Sequence, residues 1–462
     1  MATKTTSIAK RSRESTGTVV LVSVITSIGG FLFGFDNGSI SGSIGYITTK
    51  FSLSAAGMGW VTSCLTVGCI VGVIFAGRLS DRIGRKKVLV MVATLFMIGA
   101  TGEAVAPNVS FLVALRIIVG IGIGLETTVA PLYIAEIAPA RIRGRLVSFN
   151  QLFSCIGNLV IFVVSAMIIS AHAEAWNIDY GWRSTFIVGI IPAIALVICL
   201  KFIPESPRWL VQQGRLDDAR TSIGRLVSDS TDVEGELDRI NVVIASEEKP
   251  KISEIWAPKM RKRLLIVTGV PFFMQLTGIT AVFYYAPEIF KTAGFGANAA
   301  VQSTILVGGA MVLGALLSLW LIDQLGRRTL LLLGSAMMAV FLGLISWLFT
   351  LAQPNGTFLV SLLLLFVIAW GASFGTISYV LPGELFPTRI RGLGSSADTL
   401  SQWIFTFIIA QFFPILVAAF GMAVAFAGLA TFGVLAFIFC YVLVPETKQK
   451  PLEQLELELA GK

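Results

Sequence analysis

The sequence predicts an all-α membrane protein of twelve transmembrane helices, with one half of the chain written twice. Three observations predict it. Of 462 residues, 55% are apolar and 13% charged, against about 25% charged in a soluble domain. Apolar runs of about 20 residues, enough to cross ~30 Å of hydrocarbon, fill most of the chain. Finally, PLYIAEIAPARIRG (131–144) returns as YVLPGELFPTRIRG (379–392), so that Glu136 answers Glu384 and Arg143 answers Arg391, each 248 positions on. A repeat this long is no solenoid unit of about 20–50 residues; duplicated halves of a membrane protein have this character.

The runs lie near 18–46, 57–79, 88–106, 109–130, 146–170, 184–203, 264–290, 299–322, 330–352, 358–381, 393–418 and 421–444. The first contains GGFLFGFDNG, which puts Asp36 at membrane depth. An Asp at a helix centre costs about 2.5–3.5 kcal/mol on insertion scales and is a functional hypothesis by default. Arg116, in the fourth run, is its natural partner. Between runs two and three, GRLSDRIGRKK (77–87) is too short to do more than turn and hold charges; DQLGRR (323–328) echoes it. Run four carries Gly120, Gly122 and Gly124 without GxGxxG spacing or a preceding strand, so they read as close-packing residues. It also holds Glu126, a second acid about 15 Å along the helix from Arg116. Between runs six and seven, 204–263 is the one long polar stretch. Trp209, Leu210, Leu216, Ala219, Ile223 and Leu226 recur there at roughly helical spacing, predicting short amphipathic helices. After Ser228, helix and solvated linker stay open.

Orientation follows from lysine and arginine placement. Of the 35, 31 fall in the two tails and the 2/3, 4/5, 6/7, 8/9 and 10/11 connections; the others are Lys50, Arg116, Arg183 and Lys291. Both termini are therefore expected in the cytoplasm of a multi-pass protein of the plasma (inner) membrane. The net charge of +8 is then topogenic, and no nucleic-acid partner is expected. No removable signal is expected in the first 16 residues. The five cysteines lie in apolar runs without metal spacing, and His172 is alone in an outer loop, so no metal and no cofactor are expected. Without GxSxG, HExxH or a Cys/His cluster, an enzyme is not expected.

Amide side chains that both donate and accept, with aromatic faces, suit a sugar. Gln151 and Asn158 share a helix face of run five; Gln275, Tyr379, Gln402 and Trp403 lie in runs seven, ten and eleven.

PLYIAEIAPARIRG, IPESPRWL, QLTGITAVFYYAP, GELFPTRIRG and VPETK, in this order, resemble the sugar porter branch of the major facilitator superfamily over about 18–452. The resemblance implies two pseudo-symmetric six-helix bundles, 1–203 and 264–444, joined by the linker 204–263 and followed by a tail, 445–462. It implies a central cavity and monosaccharide transport by alternating access, with sugar-contacting positions at Phe33, Gln151, Gln275, Gln402 and Trp403. Departures from the family pattern are Asn158, Met274, Thr280, Gly375 with Thr376, and Tyr379; Asn158, Thr280 and Tyr379 stay among the expected binding residues. Asp398 is an acid where the family has a small or apolar residue. Proton coupling is expected at Asp36 and Arg116. A cytoplasmic gate is expected from Asp81, Arg85, Glu136, Arg143, Glu205, Arg327, Glu384 and Arg391, with crosswise pairs Glu136–Arg391 and Glu384–Arg143 when the protein faces outward. The expected partners are a pentose or hexose, protons and the lipid bilayer, the chain acting as a monomer. Alternatives are an uncoupled facilitator of a sugar or a polyol such as inositol, a carrier of an organic cation drawn by Glu126 and Asp398, and a sugar receptor on a transporter fold.

Overall fold

A computed structural model describes residues 2–139, 142–226, 233–246, 252–351 and 355–448. The expected tail beyond 448 and the linker positions 227–232 and 247–251 lie outside the described residues.

Six long helices form the first half: α1 (Gly17–Phe51), α2 (Ala55–Ile83), α3 (Arg85–Ala104), α4 (Val109–Ile137), α5 (Arg143–Ser170) and α6 (Glu174–Leu200). The linker folds as α7 (Pro207–Gln212), α8 (Leu216–Leu226) and α9 (Val233–Ser246). Helical periodicity anticipated the first two. Their apolar faces, with Trp209, Leu210, Ala219 and Ile223, enclose a small core joined by Leu237 of α9. The second half has α10 (Pro258–Thr292), α11 (Ala297–Leu325), α12 (Arg327–Leu348) and α13 (Gly356–Leu385). A continuous stretch, Arg391–Leu443, completes it and reverses at Gly421, φ 81° and ψ 168°. It therefore makes two crossings, α14 (391–420) and α15 (422–443), which gives twelve spans.

Gly84 (φ 97°, ψ 159°) and Gly326 (φ 85°, ψ 166°) make the same turn between α2 and α3 and between α11 and α12. A side chain is strained at such φ, so one residue reverses the chain in each half. α6 starts ten residues before the run read from hydropathy, through a π-helical turn at Asn177–Gly181. Polar residues there hide this first turn from an apolar count.

Packing repeats as the sequence does. α1 lies on α5 as α10 lies on α14, α2 on α4 as α11 on α13, and α3 on α6 as α12 on α15. In the α2–α4 contact, Gly68 and Gly72 interlock with Gly120 and Gly124, each bare Cα set against the other helix's backbone. This is the small-residue approach that drives membrane helix pairing. The halves meet along α2 with α14 and α5 with α11. On the face away from the basic loops, Ser63 donates to Gln411 Oε1 (2.9 Å), Gln411 donates to the Ala56 carbonyl (3.2 Å), and Lys291 sits 5.8 Å over the Tyr46 ring. That face is closed between the halves. His172 is exposed there and stacks on Trp176 at 3.8 Å.

Candidate functional site

Two helices of the second half are broken at membrane depth. α10 stops at Leu276 and resumes at Ile279, with Gly278 left-handed at φ 87°. α13 breaks at Ser373, φ −124° and ψ −93°, between Ala372 and Phe374. Backbone groups freed in a bilayer need partners or a cavity. Both breaks open onto one cavity of about 550 Å³, counting its mouth, between the halves. Phe33, Gln151, Asn158, Gln275, Thr280, Tyr379, Gln402 and Trp403 all line it.

Several of these are already held. Thr280 donates to Gln275 Oε1 (2.5 Å) across the α10 break, and Gln402 Nε2 donates to the Tyr379 hydroxyl (2.9 Å). The Tyr284 hydroxyl donates to Asn37 Oδ1 (3.0 Å), tying α10 to α1 across the halves. Phe33 meets Trp403 edge-on at 5.5 Å. Among the described residues no charged side chain lines the cavity.

The acids sit elsewhere. Asp36 Oδ2 lies 3.7 Å from Arg116 Nη2, both buried, and Arg116 Nε donates to the Val61 carbonyl (3.0 Å). Sequence reading missed Glu103, which is 1% exposed, lines a smaller cavity with Asp36, and feels the Arg116 charge. An acid inside an apolar run was the available signal, masked because it falls at the run's end. Glu126 accepts from Asn150 Nδ2 (2.8 Å), and Asp398 accepts from Ser378 Oγ (3.0 Å). Neither acid lines the central cavity. Arg116 is not the only buried cation, since Arg85 and Arg263 are buried near helix ends.

At the basic face each half builds the same charge cluster. Arg85 grips Glu136 with Nη2 (2.9 Å) and Nε (3.1 Å), and also reaches Asp81 (3.1 Å). Ser206 donates to Glu136 (2.5 Å), and Glu205 accepts the Arg85 and Lys86 backbone N–H groups at 3.0 and 3.1 Å. In the second half Arg327 pairs with Glu384 (2.8 Å) and Thr447 donates to Glu384 (2.5 Å). Glu446 accepts from the Arg327 and Arg328 N–H groups at 2.9 and 3.1 Å. The recurring PES and PET triplets signalled Ser206, Glu446 and Thr447, whose parts were not anticipated. Both acids cap a helix N-terminus, where partial positive charge favours them.

The expected crosswise pairs are not formed in this structure. Glu136 and Glu384 are paired inside their own halves. Arg391 instead lies within electrostatic reach of Arg143, like charge against like, and its Nε has no hydrogen-bond partner. The basic face is thus unlatched between the halves at these residues.

The profile of a family described as "Sugar (and other) transporter" matches residues 22–459. The arabinose-proton symporter of Bacillus subtilis is 37% identical over 443 residues, 96% of this chain and 95% of that protein. The xylose transporter XylE from E. coli, solved in a partially occluded inward-open conformation, superposes with TM-score 0.84 at 29% identity. That match covers 94% of this chain and all of that one. The proton:xylose symporter XylE bound to 6-bromo-6-deoxy-D-glucose gives TM-score 0.78 at 31% identity, covering 96% and 99%.

Proposed function

The chain belongs to this family of sugar transporters, and from that premise we propose that it carries a pentose or hexose together with protons across the plasma membrane by alternating access. The observation that carries the reading is the cavity: uncharged amides, hydroxyls and aromatic rings from both halves converge on it, while the buried acids are paired outside it. A neutral polyhydroxyl ligand suits that lining. A cation would need a carboxylate on the wall, so Glu126 and Asp398 do not favour an amine.

Asp36 is the proton-carrying group, with Arg116 as counter-charge. The basic face is cytoplasmic, and this structure, closed on the other face, is inward-facing. Gln275 and Gln402 fix the sugar from the second half, Gln151 and Asn158 from the first, and Trp403 offers its face to C–H surface. One chain holds the complete site and acts as a monomer.

Competition against labelled sugar by aldoses, polyols and amines tests the reading. Aldoses are expected to compete; inhibition by amines alone, lost in Asp398→Asn, contradicts it. Gln402→Ala removes one amide and leaves the Tyr379 hydroxyl without its donor. Buried polar groups left unpaired cost about 1–3 kcal/mol, so sugar affinity is expected to fall about tenfold or more; an unchanged Kd excludes Gln402 from the site. Asp217, on the exposed side of α8, tests orientation. A cysteine placed there is expected to resist an impermeant thiol reagent in intact cells and react after permeabilisation. Labelling from outside reverses the topology.

A further inference from the structure

Among the described residues that line the central cavity, Asn158, Trp370 and Trp403 each carry a buried polar atom without a hydrogen-bond partner: Oδ1, Nε1 and Nε1 respectively. Trp370 is 4% exposed and stands three residues before the α13 break. A buried indole N–H normally finds a partner. This ring cannot easily turn to seek one. Phe283 meets it edge-on at 5.4 Å, and the bare Cα of Gly375, just past the break, leaves so little space that a Cβ there would come within 3.0 Å of the ring. The ring is therefore held in place at the cavity wall before any ligand enters, which spares the ordering cost on binding.

An indole N–H is donor only. Its complement is a ligand oxygen, not an ammonium group and not a methyl. We propose that Trp370 is a specificity-determining residue whose N–H donates to one hydroxyl or ring oxygen of the bound sugar, within the sugar reading given above. The sugar completes the hydrogen bond that the empty protein leaves open at Trp370. A sugar lacking the oxygen that faces Trp370 loses the bond and leaves the N–H buried and unpaired, so selection acts at one position of the ring.

The test is equilibrium binding to the purified full-length protein. The probes are D-xylose, L-arabinose and D-glucose, then each monodeoxy derivative of whichever binds. Trp370→Phe keeps an aromatic ring and removes the N–H; 3-benzothienylalanine at 370 keeps the bicyclic shape and replaces N–H by sulfur, guarding against a packing defect. Both variants are expected to bind the parent sugar about tenfold more weakly, equivalent to about 1.4 kcal/mol. One deoxy position is expected to weaken binding to the unaltered protein by a similar factor and to make no further difference in either variant. Full affinity in the benzothienyl variant, or the same deoxy penalties in variant and unaltered protein at every position, overturns the assignment. Failure of the unaltered protein to bind any of the three sugars overturns the sugar reading itself, and the assignment with it.

Discussion

Asp36→Asn is expected to abolish uphill accumulation while sugar exchange down its gradient persists. Asp36 is buried 3.7 Å from Arg116 and forms no part of the central cavity wall. Asn keeps the size and the hydrogen-bonding oxygen but cannot release a proton, and sugar contacts are untouched. With one proton per sugar, each pH unit of gradient sustains about tenfold accumulation, since about 1.4 kcal/mol corresponds to a factor of ten. The variant's accumulation ratio is expected to fall to one. Counterflow and gradient-driven uptake in the same proteoliposomes separate the two activities. Undiminished uphill uptake by Asp36→Asn sinks the assignment.

The second large effect is on stability and is unequal between the halves. In the first half the Arg85 and Glu136 side chains are 4% and 5% exposed; in the second, Arg327 and Glu384 are 14% and 26% exposed. Removing one member of a buried pair strands the other charge, at about 3–5 kcal/mol, whereas replacing both by apolar residues is often neutral. Glu136→Ala is therefore expected to lower the thermal midpoint of the purified protein far more than Glu384→Ala, although the motif is the same in both halves. The double change Arg85→Leu with Glu136→Leu is expected to recover most of the loss. Equal losses from the two glutamate changes contradict this account of the clusters.

What could be read from the sequence follows the range of the interactions involved. Spans declared themselves by length and polarity, and the halves by repetition. Asp36 and Arg116 were legible because a charge at membrane depth needs a partner, and only one cation stood in an apolar run at that depth. The eight expected residues among those that line the cavity stood out as amides, hydroxyls and rings where lipid-facing side chains would be expected, or by resemblance. Pairing partners were not legible. A Glu and an Arg seven residues on occur in both halves, so the repeat is equally compatible with crosswise and internal pairs. Only the fold brings Arg85 back to Glu136 and sets Arg143 beside Arg391. Nor was the role proposed for Trp370 visible in the sequence, where it is one aromatic in an apolar run; the structure places it on the cavity wall three residues before the break at Ser373.

Gradient-driven uptake by the unaltered protein tests the central claim most directly. Proteoliposomes with an acidic exterior and a neutral interior are given labelled L-arabinose, D-xylose or D-glucose. At least one of them is expected to accumulate transiently above the external concentration, to lose that accumulation with a protonophore, and to make the exterior more alkaline as it enters. Uptake that stops at equal concentrations whatever the pH gradient, with no proton movement, contradicts it.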